Sequence, residues 1–267
     1  YVTRNRVAAI FAGTFVTALI QSSSATTVMT VGFVNAGLLS LQQAIGVVFG
    51  ANIGTTVTGQ MVSFKLDGLA LPAIIAGTAG LLVARRATWQ GSARTLLGFG
   101  LLFFGMTLMS DELKSVSTFP SFIRVFQSFD CTPLPGQPMP FGAVLGAIGI
   151  GTLMTMLVQS SSATIGLTIA LANSGLLNIW TAVPIVLGDN IGTTITAILA
   201  SLNANRTARQ TAAAHSMFNV LGTGVMVGLF YVPVRGVPCF LHLVNDVTSG
   251  NVFLGENIGR HVAMAHT

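Results

Sequence analysis

Charge is what this sequence has least of. Only 7% of its 267 residues are Asp, Glu, Lys or Arg, against about 25% in an ordinary soluble domain. A surface so poor in charge cannot all face water, which excludes a soluble globular fold. Cysteine is scarcer still: Cys131 and Cys239 alone are too few for a metal cluster or a disulfide framework. The twelve basic residues are scattered, with no basic stripe or interleaved aromatics, so the net charge of +5 marks no nucleic-acid partner. There is no Gly-x-Ser-x-Gly elbow and no Gly-Lys-Ser/Thr phosphate loop, so hydrolase and P-loop chemistry lack their motifs. His242, His261 and His266 show no metal-ligand spacing. Nothing points to an enzyme. The opening, Tyr1-Val-Thr-Arg-Asn-Arg6, is no signal peptide. The chain closes in an apolar segment at Thr267, so both ends read as cuts in a longer protein.

What fills the chain is apolar. Hydrophobic residues make up 52% and the mean hydropathy is +0.77. Residues 69–84, 95–109 and 212–232 approach the roughly 20 apolar positions needed to cross a hydrocarbon core of about 30 Å. The expectation is an all-α, polytopic membrane protein whose outer surface meets lipid.

A repeat sets the architecture. Residues 13–58 match residues 151–196 without a gap, and 24 of the 46 pairs are identical. Two polar strings carry the match: Gln-Ser-Ser-Ser-Ala-Thr at 21–26 and 159–164, and Gly-x-Asn-Ile-Gly-Thr-Thr at 50–56 and 188–194. An apolar background yields stray Leu and Ala identities, but not two polar strings in one register. The arms flanking each Gln-Ser-Ser-Ser are too short to span the membrane comfortably, so each copy reads as a re-entrant helical hairpin with its polar tip inside. Each Gly-x-Asn-Ile-Gly-Thr-Thr string, with two glycines, reads as the unwound break of a transmembrane helix.

Three crossings after the first hairpin would place the second on the opposite face, which makes the repeats inverted. One side would then hold Arg4, Arg6, Arg85, Arg86, Arg94, Arg206 and Arg209 with no acid, a cytoplasmic signature. The expected organisation is a first repeat over 1–110 (hairpin about 4–37, broken helix about 41–64). A Pro-rich external linker follows over 111–140. The second repeat covers 141–267 (hairpin about 141–175, broken helix about 179–202).

The strings suggest their ligands. Serines that start a helix leave backbone N–H groups and the positive end of the helix dipole facing the tip, which suits an anion. Gln21, Ser22, Ser23 and Ser24 would meet Gln159, Ser160, Ser161 and Ser162 near the midplane around one phosphate-like ligand, as in transporters built from inverted repeats. Carbonyls freed at the unwound turns, with Asn52, Thr55, Thr56, Asn190, Thr193 and Thr194, offer neutral oxygens to sodium. Asp189 is the one acid left within the membrane and has no basic partner in the strings. A cation is the economical counter-charge, a protonated carboxyl or a cap for Thr193 the alternative. His215 and Asn219, one turn apart, read as a helix-packing pair. Cys131 and Cys239 fall on the external side, where they form either a disulfide or two free thiols.

These paired strings, together with the Ala-x-x-His-x-x-Phe-Asn pattern ending at Asn219, resemble the type II sodium-dependent phosphate cotransporters and their bacterial relatives. The resemblance implies inorganic phosphate as substrate, sodium as coupling ion and alternating access of a hairpin-bearing core against a scaffold. It also implies a homodimer in many cases and a multi-pass location in the cell membrane, for a bacterium the inner membrane. Another small oxyanion or a carboxylate as substrate, or a channel or uniporter, is the competing expectation. The segment Arg260 to His266 repeats the Arg-x5-His spacing of Arg209 to His215.

Overall fold

A computed structural model of the chain describes residues 5–63, 67–116, 119, 124, 128–234, 236–248, 250–251 and 257–266. Tyr1, Arg4, Thr267 and position 64, at the ends of the expected segments, lie outside the described residues. The architecture is all-α. Helices α1 (Arg6–Ile20) and α2 (Ser23–Asn35) form the first hairpin, followed by α3 (Leu41–Ser63), α4 (Asp67–Val83) and α5 (Ala87–Val116). The second hairpin is α6 (Phe141–Val158) and α7 (Ser161–Asn173), followed by α8 (Ile179–Gly192), α9 (Ile195–Ser201) and α10 (Arg206–Phe230). A two-residue ribbon, β1 (Pro233–Val234) with β2 (Val237–Pro238), leads to α11 (Cys239–Val247) and then α12 (Ile258–His266).

Among the described residues, five helical stretches are long and apolar enough to cross a membrane: Leu41–Ser63, Ala87–Leu113, Phe141–Val158, Ile179–Ser201 and Arg206–Phe230. Outward stripes confirm the solvent they face. On α1, Phe11, Phe15 and Leu19 recur every four residues and stand 65–70% exposed. An apolar stripe of that kind lies against hydrocarbon, not water. The chain is a multi-pass membrane protein.

The duplication extends to atomic detail. Each hairpin packs its first helix along the following long helix, α1 on α3 and α6 on α8, far more than on its own second arm. Close approach depends on glycine. A methyl group at Gly13 would strike the Val47 carbonyl, and one at Gly151 the Ile185 carbonyl, 138 residues further on. Gly50 meets the Ile10 carbonyl and Gly188 the Ile148 carbonyl in the same way. Small residues at such crossings let membrane helices gain van der Waals contact that a larger residue would block.

This corrects the expectation of an unwound turn in the first copy. α3 runs unbroken through Gly50–Thr56. Its glycines serve helix contact rather than backbone release. In the second copy the helix is interrupted between α8 and α9 at Thr193 and Thr194, which keep right-handed helical angles. That is a local hitch and not an extended segment.

Both hairpins also end alike. After α2, Gly37 at φ 74° lets its N–H reach the Val34 carbonyl and Leu38 N–H the Phe33 carbonyl. After α7, Gly175 at φ 80° does the same with Ala172 and Leu176 with Leu171. This paired closure of a helix C-terminus needs a left-handed residue, which glycine supplies without a Cβ penalty.

Candidate functional site

Each hairpin tip is one residue of left-handed backbone followed at once by a serine cap. Gln21 sits at φ 59°, ψ 28° and Gln159 at φ 54°, ψ 26°. A residue with a Cβ rarely adopts this region, and glycine would do so more cheaply. That both copies keep glutamine there points to a use for the carboxamide. Ser22 then accepts from Ala25 N–H at 3.2 Å, and Ser160 from Ala163 N–H at 3.3 Å, as N-caps of α2 and α7. Ser23 and Ser161 are buried at 4% and 7% exposure, while Ser24 and Ser162 are half-buried.

The tips differ in their hydrogen bonds. Gln21 Nε2 donates to the Ala18 carbonyl, and Thr17 donates to Thr26 where the matching Thr155 donates to Asp189. Gln21 Oε1 accepts from Thr58 Oγ1 at 2.7 Å, tying the first tip to α3. The counterpart Thr196 donates instead to the Thr193 carbonyl. No hydrogen bond among the described residues joins the two tips to each other.

The second pair of strings does converge. Asn52 and Asn190 both line a cavity of about 210 Å³, whose polar wall is completed by Asn219 and Thr223 of α10 and His266 of α12. The serines do not line it. Around Asn52 a closed network forms: its Nδ2 donates to Asn219 Oδ1 at 3.3 Å, and its Oδ1 accepts from His215 Nε2 at 3.2 Å. Asn219 in turn donates to the His215 carbonyl at 3.0 Å. His215 and Asn219, which pack one turn apart on α10, thus also hold the Asn52 carboxamide of the first string.

Asp189 is buried at 1% exposure, with Thr155 Oγ1 hydrogen-bonded to its Oδ1. Thr193 bonds the Asp189 backbone carbonyl, not the carboxylate. Oδ2 has no hydrogen-bond partner, and the nearest ionisable atom is His266 Nε2 at 3.7 Å. An unmet carboxylate oxygen in so dry a place is costly. The donor set fits a small cation, with one free carboxylate oxygen on the residue before the cavity-lining Asn190. Asp189, Thr55, Thr56, Thr193 and Thr194 do not themselves line that cavity. Thr55 and Thr56 donate to carbonyls of α3, and Thr193 and Thr194 to carbonyls of α8, which leaves hydroxyl lone pairs available.

Sequence reasoning did not identify Thr155 and His266 as neighbours of Asp189, and it weighed His215 and Asn219 as packing. The repeated Arg-x5-His spacing was the available signal, since it places two equivalent histidines on α10 and α12. Cys131 and Cys239 are both free thiols, and the expected alternative of a disulfide between them is not formed. Cys131 is buried where its N–H bonds Thr181 Oγ1. Asp130, beside it, accepts from Thr132 and from Asn178 Nδ2 at 3.0 Å, docking the linker onto the start of α8.

Comparison with known proteins agrees with the repeated strings. A family model described as Na+/Pi-cotransporter matches residues 1–111 and 141–234. The uncharacterized protein YqeW of Bacillus subtilis is 32% identical over 247 residues, covering 87% of this chain and 76% of that protein. YjbB of Salmonella typhimurium, provisionally named an inorganic phosphate export protein, is 30% identical over 82% of this chain and 38% of its own length. Human sodium-dependent phosphate transport protein 2B is 45% identical over 165 residues, 60% of this chain and 22% of that protein. The chain therefore spans less than half of the last two. No solved structure matches it.

Proposed function

The chain belongs to the Na+/Pi-cotransporter family, and from that premise we propose that it carries inorganic phosphate across a cell membrane in symport with sodium. The single observation that carries this reading is the pair of matched tips. In two copies a glutamine is held in left-handed backbone and a serine caps the next helix, so each tip presents a carboxamide, hydroxyls and a helix N-terminus. Such a terminus favours an anion through its free N–H groups and its dipole. Gln21, Ser22, Ser23 and Ser24 bind phosphate together with Gln159, Ser160, Ser161 and Ser162. Sodium is held at Asp189 with Asn190, Thr193 and Thr194, and Asn52, Thr55 and Thr56 lie at the matching place in the first repeat. The repeats, 1–110 and 141–267 about a linker at 111–140, are inverted and alternate access between the two faces. The membrane is the inner membrane of a bacterium, and the protein acts as a homodimer.

The test is uptake of radiolabelled phosphate into proteoliposomes under an inward gradient of sodium, potassium or protons. Accumulation should require sodium. Ser23→Ala and Ser161→Ala should each raise the phosphate KM about tenfold or more, because a hydrogen bond to a charged group contributes roughly 1.5–3 kcal/mol. Uptake indifferent to sodium would refute the coupling. An unchanged KM in both variants would remove the tips from the phosphate site.

A further inference from the structure

The two helices with the Arg-x5-His spacing occupy matched places. α10 packs on α2 and α3 of the first repeat, and α12 on the matching α7 and α8 of the second, with α12 packing on α3 at least as much. Each brings its histidine to one of the duplicated strings: His215 to Asn52 at 3.2 Å, His266 to Asp189 at 3.7 Å. The two contacts differ in chemistry. In the first repeat both arms of the Asn52 carboxamide are engaged, one by Asn219 and one by His215. In the second repeat neither Asp189 Oδ2 nor either ring nitrogen of His266 has a hydrogen-bond partner, although the residues are 1% and 6% exposed.

A separation of 3.7 Å is too long for a hydrogen bond between them. Two dry polar groups left unmet side by side are destabilising unless something satisfies both. The candidates are few. Ala51, at the place matching Asp189, gives the first repeat no carboxylate. No Lys or Arg among the described residues pairs with Asp189. His266 and Asn190, the residue that follows Asp189, both line the cavity of about 210 Å³.

We propose that His266 completes a monovalent-cation site confined to the second repeat, the ion lying between Asp189 Oδ2 and a neutral ring nitrogen of His266. The first repeat has no equivalent site, because His215 and Asn219 hold the Asn52 carboxamide closed. The carboxylate supplies the counter-charge and the imidazole lone pair a further ligand without adding charge. The identity of the ion as sodium rests on the symport reading above. α12 thereby belongs to the transport site, and not only to the packing around it.

The experiment is equilibrium binding of radiolabelled sodium to the purified protein without phosphate, compared among wild type, His266→Ala and His266→Gln. His266→Ala should weaken sodium binding about tenfold, and the glutamine carboxamide oxygen should restore most of it. The phosphate KM at saturating sodium should stay within about twofold in both. Wild-type sodium affinity in His266→Ala overturns the site. So does an equal loss of sodium and phosphate affinity, which marks a structural histidine. Should the alanine variant not fold, the ring nitrogen resonances of His266 in the wild type read the same contact. They should shift on titration with sodium and not with N-methylglucamine, and an unmoved signal overturns the proposal. Wild type that transports phosphate yet binds no sodium refutes the symport reading itself, and this site with it.

Discussion

Gly188→Ala tests whether the duplicated glycines exist for helix contact. A Cβ at this position would overlap the Ile148 carbonyl oxygen and lie 2.9 Å from Thr152 N. Both obstacles are backbone, so no rotamer change relieves them. Carbon needs about 3.5 Å of separation, which requires α6 and α8 to part by on the order of 1 Å. Overpacking of this kind costs roughly 1–3 kcal/mol, and the helix preference of Ala over Gly returns at most about 1 kcal/mol. The net is a loss of up to roughly 2 kcal/mol, and Gly50→Ala should behave alike, since its Cβ meets the Ile10 carbonyl. Gly142→Ala and Gly146→Ala on α6 are the contrast, because nothing lies within 4 Å of a Cβ at either. They should be neutral or slightly stabilising. Thermal unfolding in detergent reads the difference at roughly 2–4 °C per kcal/mol. If Gly188→Ala and Gly50→Ala melt with Gly142→Ala and Gly146→Ala, the helices do not meet through these glycines, and a backbone-release role returns.

Asp189→Asn keeps a partner for Thr155 but removes the charge, so the sodium concentration for half-maximal phosphate uptake should rise about tenfold or more; an unaltered sodium dependence makes the carboxylate structural. Burial pushes the Cys131 thiol up to about 12, and the thiolate is the reactive form. At pH 7.5 a maleimide should therefore modify Cys239 and spare Cys131, a result that rapid labelling of Cys131 in the folded protein would contradict. Burial alone would raise the Asp130 carboxyl, but hydrogen bonds from Thr132, Asn178 and Thr181 outweigh it and hold it below its ordinary value. The stabilisation of the linker is then complete above the unfolded-state value and lost as pH falls through the lower folded one. Hydrogen exchange at the Thr132 amide should quicken relative to its unfolded rate only in that acid range, and protection unchanged below it would refute the link.

The hairpins were legible because their signals are local. Serine in front of a helical run is a cap wherever it occurs, and Ser22 and Ser160 act as one. Asn35-Ala-Gly and Asn173-Ser-Gly end their helices as the glycines demand. Glycine at 50 and 188 was ambiguous for a physical reason. The missing side chain that allows a backbone to unwind also allows another backbone to come near, and only the neighbour decides between the two. In α3 the neighbour is α1, and the spacing Gly46, Gly50, Gly54 puts all three on the face it covers. The partners of Asp189 were hidden because they are tertiary. Thr155 lies 34 residues away and His266 77 residues away, and no periodicity within a helix reports such distances. The second Arg-x5-His segment was visible as a repeat, but its meaning depended on knowing that α10 and α12 stand at equivalent places on the two long helices.

That equivalence bears on how the two halves act together. Both histidine helices come from the second half of the chain, yet His215 serves the first string and His266 the second. The first half therefore does not complete its polar centre from its own sequence, whereas the second half does. α10 packs on α2 and α3 as well as on α8 and α9, and α12 on α3 as well as on α7 and α8. A shift of one repeat against the other cannot leave these two helices seated on both. If the cation lies between Asp189 and His266, its arrival fixes α12 to α8, while α3 keeps its own contact with the same helix. Occupancy at one carboxylate is thus mechanically joined to the relation between the repeats, through packing and without a charge on α3. On the symport reading proposed above, this would be a differential contact of the kind a ligand must make to shift a conformational equilibrium, with α12 as the element that carries it.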